Sequence, residues 1–113
     1  MSDATPQQPI VHTLVQWSVL EVPPPEGLSK WTRHFAGLAG DKPFISDPVV
    51  AFDAANACAY THSGQLIQLV GEPDWPKEVR QMWAAWKLLQ RVSFERDVTS
   101  EFHAGLMLVR SEG

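Results

Sequence analysis

The chain has 113 residues, 44% hydrophobic and 19% charged, with a net charge of −4. That supports one domain with a modest core and argues against a disordered chain. The acidic balance also argues against broad, sequence-independent binding to a phosphate backbone, which needs a Lys/Arg surplus, though a local basic patch stays open.

Met1–Pro9 is polar, carries two prolines and offers little apolar area to offset ordering entropy, so a flexible tail is expected. It lacks the basic-then-apolar layout of a signal peptide, and no apolar run approaches the ~20 residues that cross a bilayer. The single Cys58 cannot form an internal disulfide. Together these features predict a reducing cytoplasm.

From Ile10 to Leu20 the pattern is that of a strand rich in β-branched residues. Val11, Thr13, Val15, Trp17 and Val19 share one side and form the expected core face; His12, Leu14, Gln16, Ser18 and Leu20 share the other. Pro23-Pro24-Pro25-Glu26-Gly27 stops the strand and acts as a stiff connector. Leu28–Leu38 reads as a strand rather than a short helix, because Gly37 and Gly40 sit badly in a helix interior. Gly40–Pro43 is a turn by composition, and Pro48–Asp53 an apolar strand with its proline at the start.

Ala57–Thr61 and Gln65–Val70 flank Ser63-Gly64, a dipeptide suited to a tight hairpin because Gly accepts φ > 0. Nearly all their side chains are apolar, which predicts a central place in the sheet. Gly71–Pro76 is a break, with Pro76 at the expected first helical position and Asp74 as a candidate cap. Lys77–Arg91 then places Val79, Met82, Trp83, Trp86 and Leu89 on one helical stripe, expected to seal against the hairpin. Phe94–Phe102 alternates apolar and polar residues and reads as a last strand at an edge.

The predicted architecture is α+β: a small, curled, mostly antiparallel sheet of four or five strands packed by one main helix at about residues 77–91. Residues 10–103 form the domain, after the tail of residues 1–9 and before a C-terminal segment of residues 104–113.

Three short motifs mark the hairpin: Phe52-Asp53, Thr61-His62-Ser63-Gly64, and Leu69-Val70-Gly71-Glu72-Pro73. With these the stretch from about residue 48 to 90 resembles a loose group of small uncharacterised bacterial proteins, several encoded near mobile elements. Where those proteins commonly carry an Arg before the Ser-Gly turn and a Tyr after it, this chain has His62 and Leu66/Ile67. The resemblance implies a shared hairpin fold and no particular activity.

For chemistry, the sequence offers His12, His34, His62, His103 and Cys58. Zinc sites usually pair ligands at short spacing. Cys58 and His62 share one side of an extended strand, but at ~3.3 Å per residue they sit about 13 Å apart, too far for one ion. Cys58 in Ala-Cys-Ala-Tyr reads as a small core residue, Ser63 as turn chemistry, and Asp53 as a strand-end carboxylate bonding turn N–H groups. No nucleophile elbow or phosphate loop occurs, so no metal, cofactor or catalytic residue is predicted.

Partner-binding candidates remain. Arg80, Lys87 and Arg91 lie within about 40° of one another on the helical wheel, at 3.6 residues per turn, roughly opposite the apolar stripe. Trp75 stands in a loop, and Glu95, Asp97 and Glu101 fall on one side of the predicted last strand. The expectation is a small non-catalytic bacterial protein that binds another protein, in a specific version a phage- or mobile-element-encoded inhibitor. The alternatives are a nucleic-acid-binding regulator using the basic helix face, and a small enzyme or ligand-binding domain. An exposed edge strand or aromatic patch would favour a homodimer under all three.

Overall fold

The computed structural model describes residues 10–24 and 30–112, with side chains through Val109. The predicted tail and residues 25–29 of the predicted connector and following segment lie outside the described residues. The elements run β1 (Ile10–Val22), β2 (Thr32–Ala39), β3 (Lys42–Ile45), β4 (Val49–Asp53), β5 (Cys58–Thr61), β6 (Gln65–Val70), α1 (Lys77–Gln90), β7 (Arg96–Asp97) and α2 (Thr99–Glu112), with one 3-10 turn at Ala54–Asn56.

β1 organises the sheet. Its order is β3-β2-β1-β6-β5-β4, with β7 also paired to β1. The β1–β6 ladder is parallel (Ile10 with Gln65, Val15 with Val70), and every other ladder is antiparallel. Beyond Val15 that edge of β1 passes to the loop after β6, and then to β7 at Leu20 and Glu21. The Ser63-Gly64 hairpin exists, with Gly64 at φ 94, and both its strands are interior as predicted, β6 between β1 and β5 and β5 between β6 and β4.

A bulge in β1 decides which residues are inside. Gln16 and Trp17 oppose the single residue Gly37, and Gln16 takes a left-handed φ of 49. A Cβ on Gly37 would stand 3.1 Å from both Trp17 Cα and Val15 O, so this partner position needs glycine. Because side chains alternate with period two, the extra residue moves the inward set from even to odd positions. Leu14 is buried before the bulge, and Trp17 and Val19 after it, all in one core cluster. The predicted face of Val11, Thr13, Val15, Trp17 and Val19 is therefore corrected: Val11 (55% exposed) and Val15 (37%) lie on the opposite side.

Helices cover both faces. Adjacent residues enter different cores: Val19 and Phe35 join Ile67, Phe102 and Leu106, whereas Leu20 and Ala36 join Val79 and Trp83. So α2 packs over the hairpin and the middle of the sheet, and α1 over β2, β3 and the end of β1. Four predictions are corrected by this arrangement. Among the described residues the sheet has seven strands rather than four or five, is not curled, and carries two helices rather than one; the hairpin is sealed by α2, not by the helix at 77–90, while the sheet is mostly antiparallel as predicted. The predicted strand at 94–102 shrinks to Arg96-Asp97. The alternation there is short, while Val98, Phe102 and Leu106 recur every four residues and are all buried.

α1 keeps its predicted span to within a residue, Lys77–Gln90, but Pro76 is the extended residue before the helix and not its first helical residue, and Arg91 ends it in the left-handed conformation. Asp74 does not cap it; its carboxylate accepts from the Trp75 N–H. Of the predicted stripe, Val79 and Trp83 are buried and Trp86 half-buried, whereas Met82 and Leu89 are exposed. In α2, Gly105 meets no heavy atom within 4 Å of an added Cβ. Gly105→Ala is expected to stabilise the protein by about 0.5–1 kcal/mol, read as a higher urea midpoint at unchanged slope.

Candidate functional site

The sheet is covered unevenly. Over β1 up to its bulge, β6 and β5, the face opposite α2 carries Val11, Thr13, Val15, Leu66, Gln68, Val70 and Tyr60. The ladder pairings of Val11 with Leu66, Leu66 with Tyr60, and Val15 with Val70 place these side chains together. Val11 (55%), Val70 (46%) and Tyr60 (44%) are exposed. None of the seven carries a charge at neutral pH. Cys58 lies on the same face and is buried, its Sγ 4.0 Å from the Tyr60 hydroxyl. The sequence does not single out these particular residues, because β5 and β6 are apolar on both sides and so predict an interior place in the sheet. The available signal was that a two-sided apolar strand needs two covers.

The loop Gly71–Pro76 is stitched to the bulge. Trp17 Nε1 donates to Gly71 O at 3.1 Å, Asp74 N to Trp17 O at 3.1 Å, and Ser18 Oγ to Asp74 O at 2.7 Å. This holds Trp75 half-buried against the α1 core, so the predicted loop anchor plugs the end of that core.

At the far end of α1, a cavity of about 420 Å³ opens between Val22, Pro23 and Pro24, the side chains of Thr32 and His34, Pro48, Trp86, and the turn at residues 90–93. His34 is buried in its wall. Its Nδ1 lies 2.8 Å from Ser46 O, its Nε2 2.8 Å from Thr32 Oγ1, and its ring 4.8 Å from that of Trp86. The carbonyl partner requires the proton on Nδ1, so Nε2 accepts from the Thr32 hydroxyl. Burial pushes the His34 pKa down, against the opposing effects of the Ser46 carbonyl and Asp47, so the ring is neutral at pH 7. Among the described residues lining this cavity, Arg91 is the one with a formal charge.

The other predicted candidates are dispersed. Lys87 Nζ lies 2.6 Å from Glu95 Oε1, while Arg80 and Arg91 are exposed. Asp97 accepts from Thr99 N at the start of α2, and Glu101 in α2 lies 3.8 Å from Arg33. With the predicted strand replaced by a helix, the three acids no longer share a strand face. Asp53 accepts from Asn56 N and Nδ2, the turn role predicted for it. His12 stacks on Phe44 at 4.2 Å, and His103 Nε2 sits 3.1 Å from Glu72 without hydrogen-bond alignment. Among the described residues, no three His, Cys, Asp or Glu side chains converge as a metal site would require. None of the described helices is long and apolar enough to cross a membrane.

The fold and its surfaces define a mixed α+β sheet domain with one half-face left uncovered by the other described residues. Comparison with protein-family models, curated proteins and solved structures returns no match, so the geometry alone carries the functional reading.

Proposed function

We propose that this chain is a non-catalytic binding domain of the bacterial cytoplasm whose partner is another protein, engaged through the bare half of the sheet. The observation that carries the reading is the uncharged apolar surface of Val11, Val15, Leu66, Val70 and Tyr60, left open where α1 stops short of β5 and β6. Contiguous exposed apolar surface in an otherwise well-packed domain marks an interaction site, because leaving it in water forgoes burial worth roughly 25 cal/mol per Å². Tyr60 adds a rigid aromatic with a hydroxyl, the residue type that anchors protein interfaces. An uncharged face also suits partners chosen by shape rather than by salt-sensitive attraction, a second copy of the chain among them.

The test is the Val11→Glu/Val70→Glu double variant. Both positions are exposed strand residues, so the fold should survive with a urea midpoint close to that of the wild type. Captured from the source cell, the wild type is expected to retain a protein partner that the variant loses. If both retain the same partner equally, this face is not the interface. A nucleic-acid regulator would instead show binding that falls steeply with salt and weakens on charge reversal at Arg80 and Arg91.

A further inference from the structure

We infer that the cavity beside Trp86 is a binding site for a small aromatic carboxylate, separate from the bare sheet face. Its volume of about 420 Å³ lies within the range of sites that enclose a small molecule. Its walls state the chemistry of the occupant. Val22, Pro23, Pro24, Pro48 and Val92 offer apolar surface, and the Trp86 indole supplies an aromatic wall. The polar groups deep in the wall already serve each other, Thr32 with His34 Nε2 and His34 Nδ1 with Ser46 O, while Gln90 and Ser93 are exposed. The interior therefore calls for an apolar body, not for a ligand that must satisfy buried donors.

The rim calls for an anion. Arg91 is the one formally charged residue among the described lining residues, none of which is a carboxylate, although the chain as a whole carries 13 acidic residues against nine basic. No carboxylate among the described residues lies within ion-pairing distance of the Arg91 guanidinium. Arg91 ends α1 in the left-handed conformation, with its N–H bonded back to Leu88 O, so its backbone is fixed at the cavity mouth. A guanidinium matches a carboxylate with two parallel hydrogen bonds, which a point charge would not. An aromatic ring against Trp86 with its carboxylate on Arg91 satisfies both halves of the site.

The experiment uses the full chain and two probes of the same shape, 1-naphthoate and the uncharged 1-naphthamide. Binding is followed by NMR on the indole N–H signals, with Trp86→Phe identifying that of Trp86. Naphthoate is expected to shift the Trp86 signal saturably and to bind more tightly than naphthamide. Arg91→Gln should weaken naphthoate by about tenfold or more while leaving naphthamide unchanged, as loss of a charge-assisted pair requires. Ser93→Glu, which sets a carboxylate on the rim, should discriminate in the same direction. The proposal is overturned if naphthoate gives no saturable shift of Trp86. It is equally overturned if both probes respond alike to the two variants, or if the largest shifts fall on the bare sheet face.

Discussion

Trp17→Ala is expected to lower stability by about 4 kcal/mol, the range for removing a large aromatic from a packed core. Trp17 is fully buried, meets Phe35 edge-on at 6.3 Å, and donates its indole N–H to Gly71 O. The substitution thus opens a cavity and strands a carbonyl of the loop that closes over the bulge. Trp17→Phe keeps most of the ring volume but loses the donor, and should cost about half as much. Urea unfolding followed by far-UV circular dichroism measures both. Equal losses for Ala and Phe would mean that the indole hydrogen bond, and not ring burial, dominates at this site.

The second large effect is expected at Glu21. Its carboxylate, 11% exposed, receives Arg33 Nε at 3.0 Å and Arg96 Nη2, which ties β1 to β2 and β7. Arg96 lies over the Trp31 ring at 4.2 Å. Glu21→Gln should cost about 2 kcal/mol, because two charge-assisted bonds weaken. The cost stays below that of a fully enclosed pair, since Arg33 and Arg96 are 41% and 60% exposed and can turn to water. Burial alone would raise the Glu21 pKa, but the hydrogen bonds and charges of the two arginines hold it below the ordinary 4.5. A carboxyl with a depressed folded pKa contributes its full stability above the unfolded value and loses it as pH falls through the folded one. The gap between wild type and Glu21→Gln should therefore be widest near neutrality and close on acidification below about 4.5. A constant gap from pH 7 to pH 3 would show that the triad is not the source.

What the sequence made legible is the local chemistry. Ser63-Gly64 specifies its own turn because Gly64 needs only a positive φ, and α1 is written in Val79, Trp83 and Trp86 at helical spacing. What stayed hidden depends on distant partners. Gln16 is no turn residue; it takes a positive φ in a bulge opposite Gly37, beside Trp17 and Ser18, which bond the loop at Asp74. The resulting switch of faces inverted the expected inside and outside of the first half of β1. The parallel β1–β6 ladder left no mark on either strand. For α2, the short alternation at 94–102 outweighed the four-residue spacing that becomes visible only once Leu106 is counted. The surfaces proposed for binding were hidden for the same reason, since both exist only once it is known which helix covers which half of the sheet. Arg91 was singled out, but as part of a helix stripe and not at a cavity mouth.

β1, which pairs with β2, β6 and β7, is also the first of the described elements, and two of these partners lie far downstream. Trp17 bonds to a carbonyl 54 positions away, and Val19 N to a hydroxyl 80 positions away. A nascent chain that has reached only residue 60 can pair β1 with β2, but leaves its other edge ragged and its tryptophan in water. Contacts of such long separation slow assembly and prolong the period in which a half-made ribbon can join the wrong neighbour. Trimming the chain anywhere before α2 should accordingly yield an aggregating fragment rather than a smaller working domain.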